Sequence, residues 1–275
     1  MEKKQYYDGT KLLSQRDLNG NTPEIYLCTT NRTGGKTTYF GRLEVNRFLK
    51  QGKKFGLIYR FADQLKNVPE KFFKDIGSLF FRGHEMTAIL YKDNGYSELL
   101  LDGTSCGYAL ALNVADKIKT ISHVFSDVDS LLFDEFQSET NHYCPNEISK
   151  FISVHTSVAR GQGEQSRYVP VYMIGNPVTL LNPYYNTMGI SHRLRSETKF
   201  LKGNGWVLEQ GYVDSAATAQ KESLFNQAFM SVLLGNAAQL ACFFDSYISN
   251  TNDPCFAIHL LYLETPSNKR IKKSM

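Results

Sequence analysis

The stretch "TTNRTGGKTTYF" covers residues 29–40 and joins an apolar run to a segment with helical spacing. Residues 30–37 fit the phosphate-loop pattern G-x-x-x-x-G-K-[ST] at every required position except the first, where Thr30 replaces glycine. Gly34 and Gly35 let backbone N–H groups turn towards an anion, and the following helix adds its positive N-terminal end. The stretch therefore predicts a phosphate-binding loop between a strand and a helix. The alternative is an ordinary glycine turn that carries an exposed lysine.

The segments on either side of this loop alternate in type. Residues 22–28 predict a short strand, and Lys36–Lys50 places its apolar residues at helical spacing before a glycine stop at Gly52. Lys53–Phe61 then predicts a second buried strand. The order strand, loop, helix, strand is typical of a parallel sheet, so we expect an α/β fold with the loop at the carboxyl edge of the strands.

The pattern changes after the second strand. From Ser78 to Asn113, apolar runs are separated by turn signals at Asn94-Gly95 and Asp102-Gly103. We interpret this region as an antiparallel meander that decorates the α/β core.

Three further segments resume the alternation of strands and helices. Val128–Phe136 predicts a buried strand. Pro145–Arg160 predicts a helix with Asn146 as its N-cap, and Tyr168–Pro177 predicts another strand.

Two acidic residues, Asp134 and Glu135, follow the apolar residues 131–133. In a nucleotide site, Lys36 would reach the β- and γ-phosphates, and the Thr37 hydroxyl would hold Mg²⁺. Asp134 would hold the water shell of the metal, and Glu135 would polarise the attacking water as general base. A carboxylate directly after Asp134 favours water as the nucleophile, and no acceptor pocket for a kinase is evident. Loop and acidic pair together predict hydrolysis of ATP with Mg²⁺.

The composition sets the class of protein. With 275 residues, of which 42% are hydrophobic and 21% charged, the chain can bury a core in one large domain. Its five cysteines form no C-x-x-C pair, so we expect reduced thiols rather than a disulfide framework or a zinc module. The sequence holds no run of about 18 apolar residues and no signal-like start, which predicts a cytosolic protein without a membrane span. The net charge of +4 neither requires nor excludes a nucleic-acid partner.

The α/β alternation is expected to end near Gly205. Residues 1–205 are predicted to form a P-loop ATPase domain, and residues 206–275 a small helical subdomain. Ala216–Phe244 is amphipathic, and Asn268–Met275 is a basic tail.

The chain resembles the DNA-packaging (encapsidation) motor ATPases of small tailed phages that infect Gram-positive bacteria, which are terminase-like P-loop ATPases with an additional-strand catalytic glutamate. The matching stretches occur in the family's order between about residues 10 and 190. They are "NRTGGKT", "VNRFLKQGKKFGLIYRF", "LLFDEF", "NHYCPNEIS" and "MIGNPVTLLNPYY". The resemblance implies a P-loop NTPase fold with a mostly parallel sheet.

The resemblance also implies roles for individual residues. Arg32 would contact nucleotide and couple hydrolysis to neighbouring subunits, and Asn176 would sense the γ-phosphate or the attacking water. Arg160 would act as an arginine finger on the adjacent subunit's nucleotide, although a helix C-terminus also favours arginine. Arg60 is a weaker candidate for an intersubunit or nucleotide contact. The nucleotide-binding loop as a whole would consist of Thr30, Asn31, Arg32, Thr33, Gly34, Gly35, Lys36 and Thr37.

The partners implied by the resemblance are those of a packaging motor. Subunits would form a ring, of five in the family, that docks on the portal of a procapsid in the host cytoplasm and moves double-stranded DNA. In a narrower subgroup, a structural RNA tethers the ring. Because such ATPases carry a further C-terminal nucleic-acid-binding domain, we expect this chain to be short or truncated relative to them. Its C-terminal part holds no acidic cluster suited to a two-metal nuclease, so we expect no nuclease activity.

Two other functions remain open from the sequence. One is a different P-loop ATPase that acts on nucleic acid, such as a helicase-like enzyme. The other is a nucleotide-binding or DNA-binding module without turnover, for which Thr30 at the first loop position is the only support.

Overall fold

A computed structural model of the chain describes residues 6–195, 197–224 and 227. Within that part, nine strands pair into one sheet: β1 Ile25–Thr29, β2 Lys54–Tyr59, β3 Met86–Tyr91, β4 Tyr96–Leu101, β5 Thr104–Ala111, β6 Val128–Asp134, β7 Val171–Gly175, β8 Phe200–Gly203 and β9 Trp206–Gln210. The α-helices of the same residues are α1 Thr10–Leu13, α2 Lys36–Gln51, α3 Val68–Phe80, α4 Ala115–Thr120, α5 Glu147–Val158, α6 Pro183–Thr187 and α7 Asp214–Lys221.

The sheet has the strand order β3-β4-β5-β2-β6-β7-β1-β9-β8. The strands from β5 to β9 in this order run parallel, and hairpins add antiparallel strands at both edges. Both faces are buried, because successive residues of β7 alternate between two separate apolar clusters. The predicted α/β fold with a mostly parallel sheet is confirmed.

Glycines set both ends of α2. Gly35 precedes the helix with a φ of 93°, and Gly52 ends it with a φ of 69° while its N–H donates to the carbonyl of Phe48 at 2.8 Å. Such left-handed values suit glycine, which has no Cβ to clash. The helix therefore starts at the phosphate loop and ends where the sequence predicted.

The meander differs from the prediction in its start and in its place. The first of its strands begins at Met86 rather than near Ser78, because Val68–Phe80 form α3 with an apolar face on the sheet. Its last strand, β5, pairs in parallel with β2. The meander therefore extends the central sheet and is not a separate decoration.

The predicted end of the α/β region at Gly205 is too early. Gly205 lies in the turn between β8 and β9, and β9 pairs in parallel with β1 in the interior of the sheet. Residues 206–210 therefore belong to the sheet and not to a helical subdomain. Of the predicted amphipathic region Ala216–Phe244, the structure describes only the part around α7, and the rest lies outside the described residues together with the basic tail.

Three smaller features bear on the predictions. Asn146 does precede α5, but its φ is 56° and its side chain makes no cap hydrogen bond. In the described part of the chain, Cys28, Cys106 and Cys144 are buried and free. The same residues include no helix of the length and apolar character that a bilayer crossing demands.

Candidate nucleotide site

Three adjacent strands end at one edge of the sheet, where the predicted site residues meet. β1 lies beside β7, and β7 lies beside β6. The loop after β1 carries residues 30–37, β6 ends at Asp134, and Asn176 directly follows β7. Since carboxyl ends of neighbouring parallel strands share an edge, residues distant in sequence come together here.

The loop after β1 has two residues with left-handed backbone, Thr33 with a φ of 61° and Gly35 with 93°. A chain that alternates in this way turns successive N–H groups to one side and makes an anion-binding concavity. The N–H of Tyr7 donates to the carbonyl of Gly34 at 2.7 Å and so holds the loop from the N-terminal side. The loop thus has the backbone shape that phosphate binding requires.

Two predicted nucleotide-binding residues point into the protein. Thr30 is fully buried, and the Asn31 side chain bonds both backbone groups of Val213, accepting from its N–H at 3.0 Å and donating to its carbonyl at 3.1 Å. The Asn31 side chain therefore fastens the loop to the segment after β9, while the Thr30 hydroxyl donates to the carbonyl of Asn31 at 3.1 Å within the loop. Contact with nucleotide through the backbone of Thr30 and Asn31 stays a prediction.

Lys36 and Thr37, the first two residues of α2, reach the neighbouring strands. Lys36 Nζ donates to Asn176 Oδ1 at 2.7 Å, and Thr37 Oγ1 donates to Asp134 Oδ2 at 2.8 Å. Burial lowers the pKa of Lys36, although the charge of Asp134 opposes that shift. Burial likewise raises the pKa of Asp134, against the hydrogen bond from Thr37 and the charge of Lys36. The polar cluster of the site therefore consists of Lys36, Thr37, Asp134 and Asn176.

Glu135 follows this cluster with an unusual backbone conformation. Its φ is 56°, and its N–H donates to Asp134 Oδ1 at 2.8 Å. A left-handed conformation is unfavourable for a glutamate, whereas asparagine and aspartate adopt it more readily, and strained residues of this kind cluster at active sites.

Arg60 holds the backbone at this turn. Its guanidinium donates to the carbonyl of Phe136 at 2.9 Å and to that of Glu135 at 3.4 Å. Its Nε lies 2.8 Å from Glu147 Oε2, and Glu147 Oε1 accepts from the Tyr184 hydroxyl at 2.7 Å. Arg60 and Glu147 are both buried. Burial and these partners make Arg60 a support beneath Glu135, which does not favour the intersubunit or nucleotide contact suggested for it.

The residue that sequence reasoning missed is Glu139. One of its oxygens, Oε1, forms an ion pair with Arg32 and accepts from Asn176 Nδ2 at 3.1 Å. Because Asn176 Oδ1 accepts from Lys36, a continuous polar chain runs from Lys36 through Asn176 and Glu139 to Arg32. Glu139 lies in a polar turn without periodicity, so only the three-dimensional placement identifies it.

Arg160 lies away from this cluster. It is exposed and follows the C-terminal end of α5, which begins beside Arg60 and runs for 12 residues, or about 18 Å. Near that end, Arg167 Nη2 donates to the carbonyls of Val158 at 3.0 Å and of Val128 at 3.1 Å. Val128 is the first residue of β6 and Asp134 is its last. Arg160 therefore lies towards the amino ends of the parallel strands, away from the carboxyl ends where Asp134 lies, and does not belong to the site of its own chain.

Two solved structures of phage packaging proteins resemble the fold of this chain. The chain matches the N-terminal domain of the DNA packaging ATPase from bacteriophage phi29 with a TM-score of 0.60 and 23% identity, over 76% of this chain and 97% of that one. A chain of the bacteriophage phi29 viral genome packaging motor assembly matches with a TM-score of 0.56 and 22% identity, over 84% of this chain and 66% of that one. These similarities show that the fold is shared.

Comparison of sequences identifies the family. Two proteins each called "DNA packaging protein", from Bacillus phages PZA and phi29, are 29% identical to this chain over 188 residues, which is 67% of this chain and 50% of each relative. The chain thus spans about half the length of these curated relatives. The family described as Podovirus DNA encapsidation protein (Gp16) matches residues 1–198, more than half of the chain. The chain therefore belongs to the Podovirus DNA encapsidation protein (Gp16) family.

Proposed function

We propose that this protein is the ATP-hydrolysing subunit of a motor that moves double-stranded viral DNA into a preformed phage capsid. The observation that carries the proposal is the contact between Thr37 and Asp134, because it joins the phosphate loop to the acidic strand at the edge of a parallel sheet. Family membership supports the nucleic-acid part of the proposal, since the relatives are named as DNA packaging proteins.

The donor set at Thr37 and Asp134 fits Mg²⁺. A hydroxyl and a carboxylate 2.8 Å apart are hard oxygen ligands, and one or two such ligands are typical for Mg²⁺ that also binds phosphate. Burial raises the pKa of Asp134, which means that its anionic form lacks full solvation and a cation beside it would be favourable. When bound, the ion would neutralise charge on the phosphates.

The remaining roles follow from position. Lys36, at the first turn of α2, would bind the phosphates together with the N–H groups of the loop. Glu135 would orient and deprotonate the attacking water, and the left-handed turn supported by Arg60 would hold its backbone in place. Asn176 and Arg32 would contact the γ-phosphate side of the nucleotide.

The partners are proposed from the family. We expect a homo-oligomeric ring, of five subunits, that docks on the portal of a procapsid in the host cytoplasm and is tethered by a packaging RNA in the phages that have one. Arg160, exposed and remote from its own site, would reach the nucleotide of the next subunit. Contact with DNA would be made largely through phosphates, so binding should weaken as salt rises. We expect no DNA cleavage.

The test is release of phosphate from Mg-ATP, with and without duplex DNA. Glu135→Gln should lower turnover by about 100-fold or more while nucleotide still binds, because the substitution removes the general base and keeps its size. Glu70→Gln, which makes the same charge change at an exposed position of α3, should turn over like the wild type.

Three results would count against the proposal. Turnover by Glu135→Gln at the wild-type rate would remove that residue from the mechanism. A wild type that binds ATP but releases no phosphate, even with DNA and portal present, would favour a binding module. Stimulation by single-stranded DNA rather than duplex would favour a helicase-like enzyme.

A further inference from the structure

We infer that Glu139 lowers the affinity of the site for ATP and leaves its affinity for ADP unchanged. It does so by holding Arg32 and Asn176 until a γ-phosphate takes its place. The inference rests on the proposed function, because it assumes that nucleotide binds at the loop of residues 30–37. It assigns a positioning role to a carboxylate that lies outside the loop and outside the acidic strand.

The first support is the convergence of donors on a single oxygen. Glu139 Oε1 receives both the guanidinium of Arg32 and the amide of Asn176, the latter at 3.1 Å. A guanidinium and an amide N–H are the donors that commonly bind a phosphate oxygen. The ammonium of Lys36 lies on the other side of the same amide, 2.7 Å from Asn176 Oδ1. The carboxylate oxygen thus has the neighbours that an oxygen of the γ-phosphate would need.

The second support is that the turn carrying Glu139 is held in place while the Glu139 side chain is open to water. Two residues earlier, the buried Gln137 accepts from the N–H groups of Val178 at 3.1 Å and Thr179 at 3.2 Å, which fixes this turn against the segment after Asn176. The Glu139 side chain itself is 48% exposed and that of Arg32 is 49% exposed. An ion pair so open to water is weak, so a multiply charged γ-phosphate can displace it.

The negative charge of Glu139 should weaken the binding of ATP and not that of ADP. A carboxylate next to the γ-phosphate position repels an incoming triphosphate and competes with it for Arg32. ADP has no γ-phosphate and leaves the contacts of Glu139 intact. Wild-type protein therefore loses affinity for ATP specifically, and after hydrolysis Glu139 takes back Arg32 and Asn176 and favours release of phosphate.

The experiment compares Kd values for Mg-ATPγS and Mg-ADP in the wild type and in Glu139→Gln. The variant keeps an oxygen to accept from Asn176 but has no charge, so it should bind ATPγS about three- to tenfold more tightly. Its affinity for ADP should stay within about twofold of the wild type. Glu70→Gln is the control for the loss of one negative charge, and it should change neither Kd.

A second background separates this role from a structural one. In Arg32→Gln, adding Glu139→Gln should have a smaller effect on ATPγS binding than in the wild type, since the competition for Arg32 is already absent and only the repulsion of the triphosphate remains. Equal changes in both Kd values, or no change in either, would overturn the role of Glu139. Failure of the folded wild type to bind either nucleotide would instead overturn the proposed function, and the inference would fall with it.

Discussion

At the scale of single residues, Glu44 is a buried carboxyl group outside the site. It lies on the buried face of α2, where Oε2 accepts from the Ser130 hydroxyl at 2.7 Å. Its Oε1 is buried and has no hydrogen-bond partner among the described residues. Burial raises the pKa of Glu44 to about 7, although the charge of Arg47 opposes the shift. A carboxylate in such a place is unfavourable when it is ionised.

Stability should therefore depend on pH through Glu44. Between its ordinary pKa of 4.5 and its folded value of about 7, the folded state keeps the proton that the unfolded state releases. The free energy of unfolding should fall over this interval, by roughly 2 to 3 kcal/mol at most. Glu44→Gln should abolish that fall, so the variant should be more stable than the wild type at pH 8 and similar to it at pH 5.

Urea denaturation at the two pH values measures this difference. Glu70→Gln, at an exposed position of α3, should keep the wild-type dependence on pH. If Glu44→Gln shows the same loss of stability between pH 5 and pH 8 as the wild type, the group responsible lies elsewhere.

The residues of the site were predictable to different degrees. Lys36, Thr37 and Asp134 lie in short motifs whose spacing follows from phosphate chemistry, and the structure brings them together. Glu139 and the support from Arg60 were not predictable, because their partners are distant in sequence. Contacts of this kind depend on which loops the sheet places side by side.

At the scale of elements, the parallel pairing of β5 with β2 depends on Gly107. A Cβ at this position would lie 1.9 Å from the carbonyl oxygen of Phe55, far inside contact distance. Gly107→Ala should therefore force the two strands apart and lower the free energy of unfolding by about 2 kcal/mol or more. Thr104→Ala, an exposed position at the start of the same strand, is the control. Equal urea midpoints for both variants would mean that the sheet accommodates the methyl group.

The buried pair of Arg60 and Glu147 connects β2 with α5. Glu147→Gln would leave the guanidinium without its counter-charge, and loss of one partner of a buried pair costs about 3 kcal/mol. We expect a lower urea midpoint together with slower turnover, since the same guanidinium supports the backbone at Glu135. Ser153→Ala on α5 serves as a control for changes in the helix itself. A variant with wild-type stability and turnover would remove the pair from the support of the site.

Elements with a strong local pattern were predicted, and those that depend on distant pairing were not. β1, β2, β6 and β7 are apolar runs bounded by turn residues, which parallel strands covered on both faces require. β9 is a strand of only five residues that follows the four-residue β8 and a turn at Gly205, so its local pattern is weak. Its place beside β1 comes from long-range pairing, and for that reason the boundary near Gly205 was set too early.

At the scale of the whole molecule, the site is incomplete in one chain if Arg160 acts on a neighbour. Arg160→Ala should leave the Kd of the isolated chain for nucleotide unchanged, because the residue lies towards the opposite edge of the sheet. In assemblies formed with duplex DNA, the same variant should lose about 1,000-fold in turnover, the usual effect of removing an arginine finger. Arg160→Lys should recover little, since an ammonium cannot fork onto two phosphate oxygens.

Mixed assemblies distinguish action on a neighbour from a local effect. An Arg160→Ala subunit keeps Glu135, and a Glu135→Gln subunit keeps Arg160, so a junction between the two can contain one complete site. Mixing the inactive variants should therefore restore part of the phosphate release, in proportion to the number of junctions of the right order. A mixture as inactive as its components, under conditions where wild-type assemblies turn over, would show that Arg160 does not serve the neighbouring site.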